Sequence, residues 1–198
     1  MPIRNGFHLP RWRTRQKAGQ RRKFQRDLQV IDWQAIIKEH GPAVWQTAYR
    51  LLGDHADAAD CFQETFVSAL SICRRQRVQN FAALLVRLAT ARAIDQLRRR
   101  FRRSRWNASP DGWAAVQKES PCPSQQAQER ELAGRVRQLV SQLPPQEAQA
   151  FCLRYLSDMS YREIADELGI NTNAAGVLLH RARARLREAL DVLAKERK

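Results

Sequence analysis

Nowhere does this sequence hold an apolar run approaching the roughly 20 residues that a membrane-spanning helix requires, so membrane insertion is not expected. Cysteine is sparse: Cys61, Cys73, Cys122 and Cys152 form no CxxC pair and have no histidine at metal-ligand spacing. Cys61, Cys73 and Cys152 fall on apolar helical stripes, which reads as buried free thiols in a reducing cytoplasm rather than as a zinc site. No segment alternates polar and apolar residues over a useful length, which leaves strands unsupported. A P-loop, a nucleophile elbow and a metal constellation are all missing, so no cofactor and no enzymatic activity are expected. Acidic residues are absent before Asp27.

Positive charge is what the chain has in abundance. Lys and Arg number 35 against 20 Asp and Glu, a formal net charge of +15. Such an excess points to a polyanionic partner, with nucleic acid the first candidate. A hydrophobic fraction of 43% suffices for a packed core. Residues 1–30 form a basic arm without the apolar centre of a secretory signal. That composition suits a disordered arm lying along phosphate, and equally a mitochondrial transit peptide; both readings stand.

From residue 31 onward the periodicity is helical. Ile36, Ile37, Val44, Ala48, Leu51 and Leu52 give one apolar face from Ile31 to Leu52, with His40-Gly41-Pro42 a candidate break. Gly53-Asp54 supplies a helix stop and an N-cap. A second helix, His55 to Arg75, sets Ala58, Cys61, Phe62, Thr65, Phe66, Ala69 and Leu70 on one side. Asp57, Asp60, Gln63 and Glu64 lie on the other, as either a solvated face or a docking face opposite in sign to the rest of the protein. A third helix, Asn80 to Arg103, buries Leu84, Leu85, Leu88, Ile94 and Leu97. Its second half carries Arg92, Arg98, Arg99, Arg100, Arg102 and Arg103 against Asp95 alone, more than a helix C-terminus calls for, and so a candidate for phosphate contact.

Residues 104–128, with Pro110, Asp111-Gly112, Pro121 and Pro123, read as a flexible linker between two modules. A fourth helix, Glu129 to Gln142, has Leu132, Val136, Leu139 and Val140 apolar. Pro145 opens a fifth, with Phe151, Cys152, Tyr155 and Leu156 as its core. In the stretch SYREIADELGINTNAAGVLLHRARARL, a short helix, Gly169 and a longer basic helix make a helix-turn-helix whose second helix suits a DNA major groove. Asn171 and Thr172 are both candidate N-caps. Ala175, Leu179, Ala182, Leu186 and Ala189 form its apolar stripe. The fold class is therefore all-α: two small helical modules, residues 31–103 and 129–198, joined by the linker.

With its parts in this order, the chain resembles the extracytoplasmic-function (ECF) group of sigma factors, dissociable subunits that give bacterial RNA polymerase its choice of promoter. DAADCFQETFVSAL is similar to the family's core-docking helix. The resemblance implies polymerase contact at Asp60, Gln63, Glu64 and Phe66. FAALLVRLATARAIDQLRRR resembles the segment that opens and reads the promoter −10 element, which implies roles for Arg92, Asp95, Gln96, Arg98 and Arg99. The last module resembles sigma region 4, which grips the −35 element. The implied partners are the bacterial RNA polymerase core, promoter DNA and an anti-sigma factor, in the cytoplasm.

Two departures bear on promoter choice. Leu84, Thr90 and Ala91 stand where the family often has Trp and an Arg-Asn pair beside the opened strand. Gly176-Val177-Leu178 stands where the family commonly has a polar or basic triplet. Base reading is then expected from Asn171, Thr172, Asn173 and Leu178, the last against a thymine methyl, with His180, Arg181 and Arg183 on phosphate. The alternative is a stand-alone helix-turn-helix regulator, which leaves the Asp60–Phe66 face without a purpose.

Overall fold

The computed structural model describes residues 31–107 and 125–195, and among these residues seven helices joined by short turns form the fold, with no strand. Helix α1 runs Trp33–Leu52, α2 His55–Cys73, α3 Phe81–Asn107, α4 Gln125–Gln142, α5 Pro145–Leu156, α6 Tyr161–Leu168 and α7 Thr172–Lys195. None of them is long and apolar enough to cross a membrane. The basic arm, Cys122 and Trp113 lie outside the described residues.

Local chemistry sets the helix ends. Asp32 caps α1 by accepting from the Gln34 and Ala35 N–H groups, and Asp54 caps α2 through the Asp57 N–H at 2.9 Å. Gly53 ends α1 at φ +68°, in the left-handed region, where a side chain is strained. His40-Gly41-Pro42 does not break α1, which is continuous through Pro42. Ile36 before it and Val44 and Ala48 after it pack into the first module's core, and that burial outweighs the roughly 3 kcal/mol cost of an internal proline. The segment expected to be linker is shorter than residues 104–128. Ser104 to Asn107 continue α3, and Gln125 onward already belong to α4.

Tertiary packing departs from two separate cores. Val44, Ala69, Leu85 and Ala89 form a cluster internal to the first module, with Phe62, Phe66 and Phe81 around it. A second cluster joins the modules: Ala48, Leu51, Leu52, Cys61, Ala93, Ile94 and Leu97 pack with Val140, Leu143, Ala148, Cys152 and Ala182. A third, around Leu153, Ile164, Ala175 and Leu179, also takes Ala83 and Val86 of α3 onto its flank. Helix α3 is therefore a common axis for both modules. Cys61 and Cys152 sit within the joint cluster, and burial pushes their thiols up to about 11 and about 12. Leu132, Val136 and Tyr155, expected inside, are exposed; α4 enters the joint cluster through Val140 instead.

Truncation of Leu97, 1% exposed in the joint cluster, should cost about 2–5 kcal/mol. Since both modules lean on it, urea unfolding followed by far-UV circular dichroism should show Leu97→Ala moving one cooperative transition; two separate transitions would contradict a shared core.

Candidate docking and nucleic-acid surfaces

Three surfaces carry the residues singled out from sequence. The first is the outward face of α2. Asp60, Gln63 and Glu64 are exposed there, held by a helix whose other side buries Ala58, Cys61, Thr65 and Ala69. Phe66 is not on this face. It packs into the first module's core, 4.9 Å from Phe62 between ring centroids, because it falls on the apolar side of the 3.6-residue period. The apolar member of the open face is Val67, 64% exposed and seven residues beyond Asp60. A lone valine among polar neighbours gave no sequence signal; the helical register with Asp60, Gln63 and Glu64 is what marks it.

The second surface is a polar cleft of about 340 Å³ between α2 and α3, lined by Asp57, Asp60, Glu64, Arg92, Asp95, Gln96, Arg99, Arg100 and Arg103. It brings the expected docking and DNA-contacting residues together. Arg92 donates to Glu64 Oε2 at 2.9 Å and to Ser68 Oγ at 2.7 Å, and Gln96 donates to Asp57 Oδ1 at 2.8 Å. Both residues of the Arg92–Glu64 pair are partly solvated, so the pair contributes at most about 1 kcal/mol and can be exchanged for other partners. Asp95 and Arg99 are exposed. Arg98 is not in the cleft: it reaches the second module, donating to Ser141 O at 3.3 Å and Leu143 O at 2.6 Å. Leu84 and Thr90 are buried, and Ala91 is half-buried. Thr90 Oγ1 has no hydrogen-bond partner.

The third surface is the helix-turn-helix. Ser160 and Glu163 form a capping box on α6: Ser160 Oγ accepts from the Glu163 N–H, and Glu163 Oε2 from the Ser160 N–H. These bonds with Ser160 hold the Glu163 carboxyl below its ordinary value. Gly169 ends α6 at φ +65°. Asn171 rather than Thr172 is the N-cap of α7, accepting from the Ala174 N–H at 2.7 Å, so its carbonyl oxygen is committed to the helix. Thr172, Asn173, His180, Arg181 and Arg183 are exposed. Leu178, expected to read a base, is half-buried and packs on the module's core. Val177 takes the outward position, 47% exposed, in register with Asn173, His180 and Arg181. Arg183 lies on the flank, its Nε donating to Leu179 O at 3.3 Å. At Gly176 a Cβ would sit 3.9 Å from Tyr161 Cε2 of α6. Among the described residues, no group of His, Cys, Asp or Glu could hold a metal ion.

Comparison with known proteins follows the same division. The Sigma-70 region 2 family matches residues 36–103, and Sigma-70, region 4 matches residues 133–186. The ECF RNA polymerase sigma factor SigE of Mycolicibacterium smegmatis is 32% identical over 158 residues, covering 80% of this chain and 61% of SigE, so the match spans about three fifths of that relative. SigW of Bacillus subtilis, also an ECF RNA polymerase sigma factor, is 26% identical over 162 residues, 78% of this chain and 87% of SigW. Two solved structures share the fold, each at 23% identity. CnrH in complex with the cytosolic domain of CnrY has a TM-score of 0.52 over 80% of this chain and 86% of that one. The sigma factor RpoE in complex with the anti-sigma factor NepR, from Bartonella quintana, has 0.50 over 81% and 98%.

Because the space beside Gly176 is open to a methyl group and its φ is ordinary, Gly176→Ala should stabilise the protein by about 0.5–1 kcal/mol. The rise is read as a higher urea midpoint at unchanged slope. A loss of stability would mean that α6 and α7 pack more tightly than the 3.9 Å approach allows.

Proposed function

The chain belongs to the sigma-70 family, in its ECF group, and on that premise we propose that it binds bacterial core RNA polymerase in the cytoplasm and directs it to promoters with two spaced elements. The observation that supports this best is the pairing, in one chain, of an open acidic docking face on α2 with an open reading face on α7. A stand-alone regulator needs only the second. Bond-forming chemistry belongs to the polymerase. This chain contributes position and charge.

In this reading Asp60, Gln63, Glu64 and Val67 dock on the polymerase. Arg92, Asp95, Gln96 and Arg99 border the cleft along which the separated −10 strand runs, and Arg98 joins them once released from Ser141 and Leu143. Unpaired strands favour grooves that offer arginines to phosphate, and this cleft offers Arg92, Arg99, Arg100 and Arg103 beside four carboxylates. On the upstream element, Thr172, Asn173 and Val177 face the bases, and His180, Arg181 and Arg183 the phosphates. The 17 residues between Asn107 and Gln125, extended at roughly 3.3 Å each, reach about 55–60 Å. Elements some 16 base pairs apart are separated by about 55 Å, so the tether suffices when extended.

Run-off transcription with purified core polymerase over a random promoter library tests the function. Protein-dependent transcripts sharing two spaced motifs are expected, and DNA binding without any effect on polymerase would favour the stand-alone regulator. Val67→Ala should weaken core binding about fivefold, roughly 1 kcal/mol, with helix content unchanged, read by fluorescence anisotropy of labelled protein. On the upstream element, replacing single thymines by deoxyuracil removes only a methyl. At the base facing Val177 this should cost about 0.8 kcal/mol, roughly fourfold, and the penalty should vanish in Val177→Ala. Equal sensitivity in both proteins would remove Val177 from base reading.

A further inference from the structure

Helix α3 continues past the span of the sigma region 2 family, which ends at residue 103, and runs on to Asn107. Phe101 packs on the joint cluster and anchors the helix there. Just beyond it, Trp106 leaves 85% of its surface in water, more than any other large apolar side chain among the described residues. A single exposed apolar side chain is ordinary on a protein surface. What sets this one apart is its register.

An α-helix turns about 100° per residue, so positions 92, 96, 99, 103 and 106, which alternate steps of four and three, fall on one stripe. Arg92, Gln96, Arg99 and Arg103 of that stripe line the polar cleft between α2 and α3. Trp106 is its next member, within about 20° of Arg99 around the axis. Arg102 and Arg103, both exposed, stand four and three residues before it and are its neighbours on the helix surface. The stripe from Arg92 to Trp106 is about 21 Å long at roughly 1.5 Å per residue, the length of about six stacked nucleotides.

Charge changes along the stripe. Glu64 of α2 meets Arg92, and Asp57 meets Gln96 and Arg100. The two helices thus run in opposite directions, and α2, which begins at His55, is used up before α3 reaches Trp106. No acidic residue follows Asp95 within α3. The cleft is mixed in charge where α2 accompanies α3, and its far end offers only arginines and an indole face.

We propose that Trp106 is a base-stacking residue: its indole takes the face of a nucleobase in the separated strand whose phosphates lie along Arg99, Arg102 and Arg103. That this strand is promoter DNA rests on the sigma reading; the stacking itself rests on the stripe alone. An aromatic ring beside guanidinium groups suits unpaired bases, because every base has a π-face. Within a duplex those faces are covered by the neighbouring base pairs. Stacking tolerates any base, so Trp106 holds the strand without adding sequence preference.

The test begins with the full chain alone. A short labelled single-stranded DNA, and a duplex of the same sequence, are titrated with wild type, Trp106→Phe, Trp106→Leu and Trp106→Ala and followed by fluorescence anisotropy. Trp106→Ala and Trp106→Leu should weaken single-strand binding about tenfold and Trp106→Phe less than about threefold, with duplex binding changed by less than about twofold. An equal loss on duplex, or Trp106→Leu binding as well as wild type, would overturn stacking. Because the ring is exposed, none of the three variants should lower the urea midpoint; a lower midpoint would mean that the indole packs on the protein and would remove it from DNA. With core polymerase, a forked promoter carrying 2-aminopurine at single positions of its unpaired strand should show quenching at one position that disappears in Trp106→Ala. Failure of the wild-type chain to bind core polymerase would count against the sigma reading, while the oligonucleotide titration would still decide the stacking.

Discussion

Burial along α3 is the constraint on which the rest of the architecture depends. Ala89 and Leu85 on this helix pack within the first module, Ala93, Ile94 and Leu97 pack in the joint cluster, and Ala83 and Val86 flank the core of the second module. One helix cannot give up any of these faces without exposing apolar surface, at about 25 cal/mol for each Å². Its polar residues are thereby forced into two narrow sectors. One opens onto α2, forming the cleft that holds Arg92, Gln96 and Asp95; the other turns Arg87 and Arg98 toward the second module.

A protein with a charge of +15 faces self-repulsion when it compacts, and the structure answers with helix ends as well as carboxylates. Acidic partners serve Arg87, Arg92 and Arg100, while the carbonyls that close α1, α4 and α5 serve Arg137, Arg98 and Arg50. Burial draws the Arg98 and Arg137 guanidinium pKa values below their ordinary range. Both side chains stay cationic all the same, since arginine is not deprotonated in proteins. The two kinds of partner differ in what displaces them: an incoming anion takes an arginine from a dipole more readily than from a paired carboxylate.

The two candidate surfaces share a design in which a buried stripe fixes the helix and leaves a few side chains exposed. On α2 the stripe is Ala58, Cys61, Thr65 and Ala69; on α7 it is Ala175, Leu179 and Ala182. Each presents an exposed valine among polar residues, Val67 and Val177. An exposed apolar side chain within a polar frame is suited to contact with an apolar group such as a thymine methyl.

Most of the fold was legible in the chain itself, because helix period, caps and stops are local. Gly53, Asp54, Pro145 and Gly169 act where their chemistry says, and the acidic face of α2 and the helix-turn-helix follow from spacing alone. Three placements depart from what the motif suggests: Phe66 and Leu178 turn to the core and Arg98 to the second module, because rotation about a helix axis and the arrival of a second module decide where a side chain points. Pro42 likewise does not end α1 once both halves of the helix are buried together. The sequence by itself determined the charge, which is composition, and the helices, since these depend on neighbours a few residues apart. Only the tertiary structure decided that the two modules share a core and that arginines of each close the helix ends of the other, because such contacts join residues some forty to more than a hundred positions apart, such as Arg98 with Leu143 and Arg50 with Leu156.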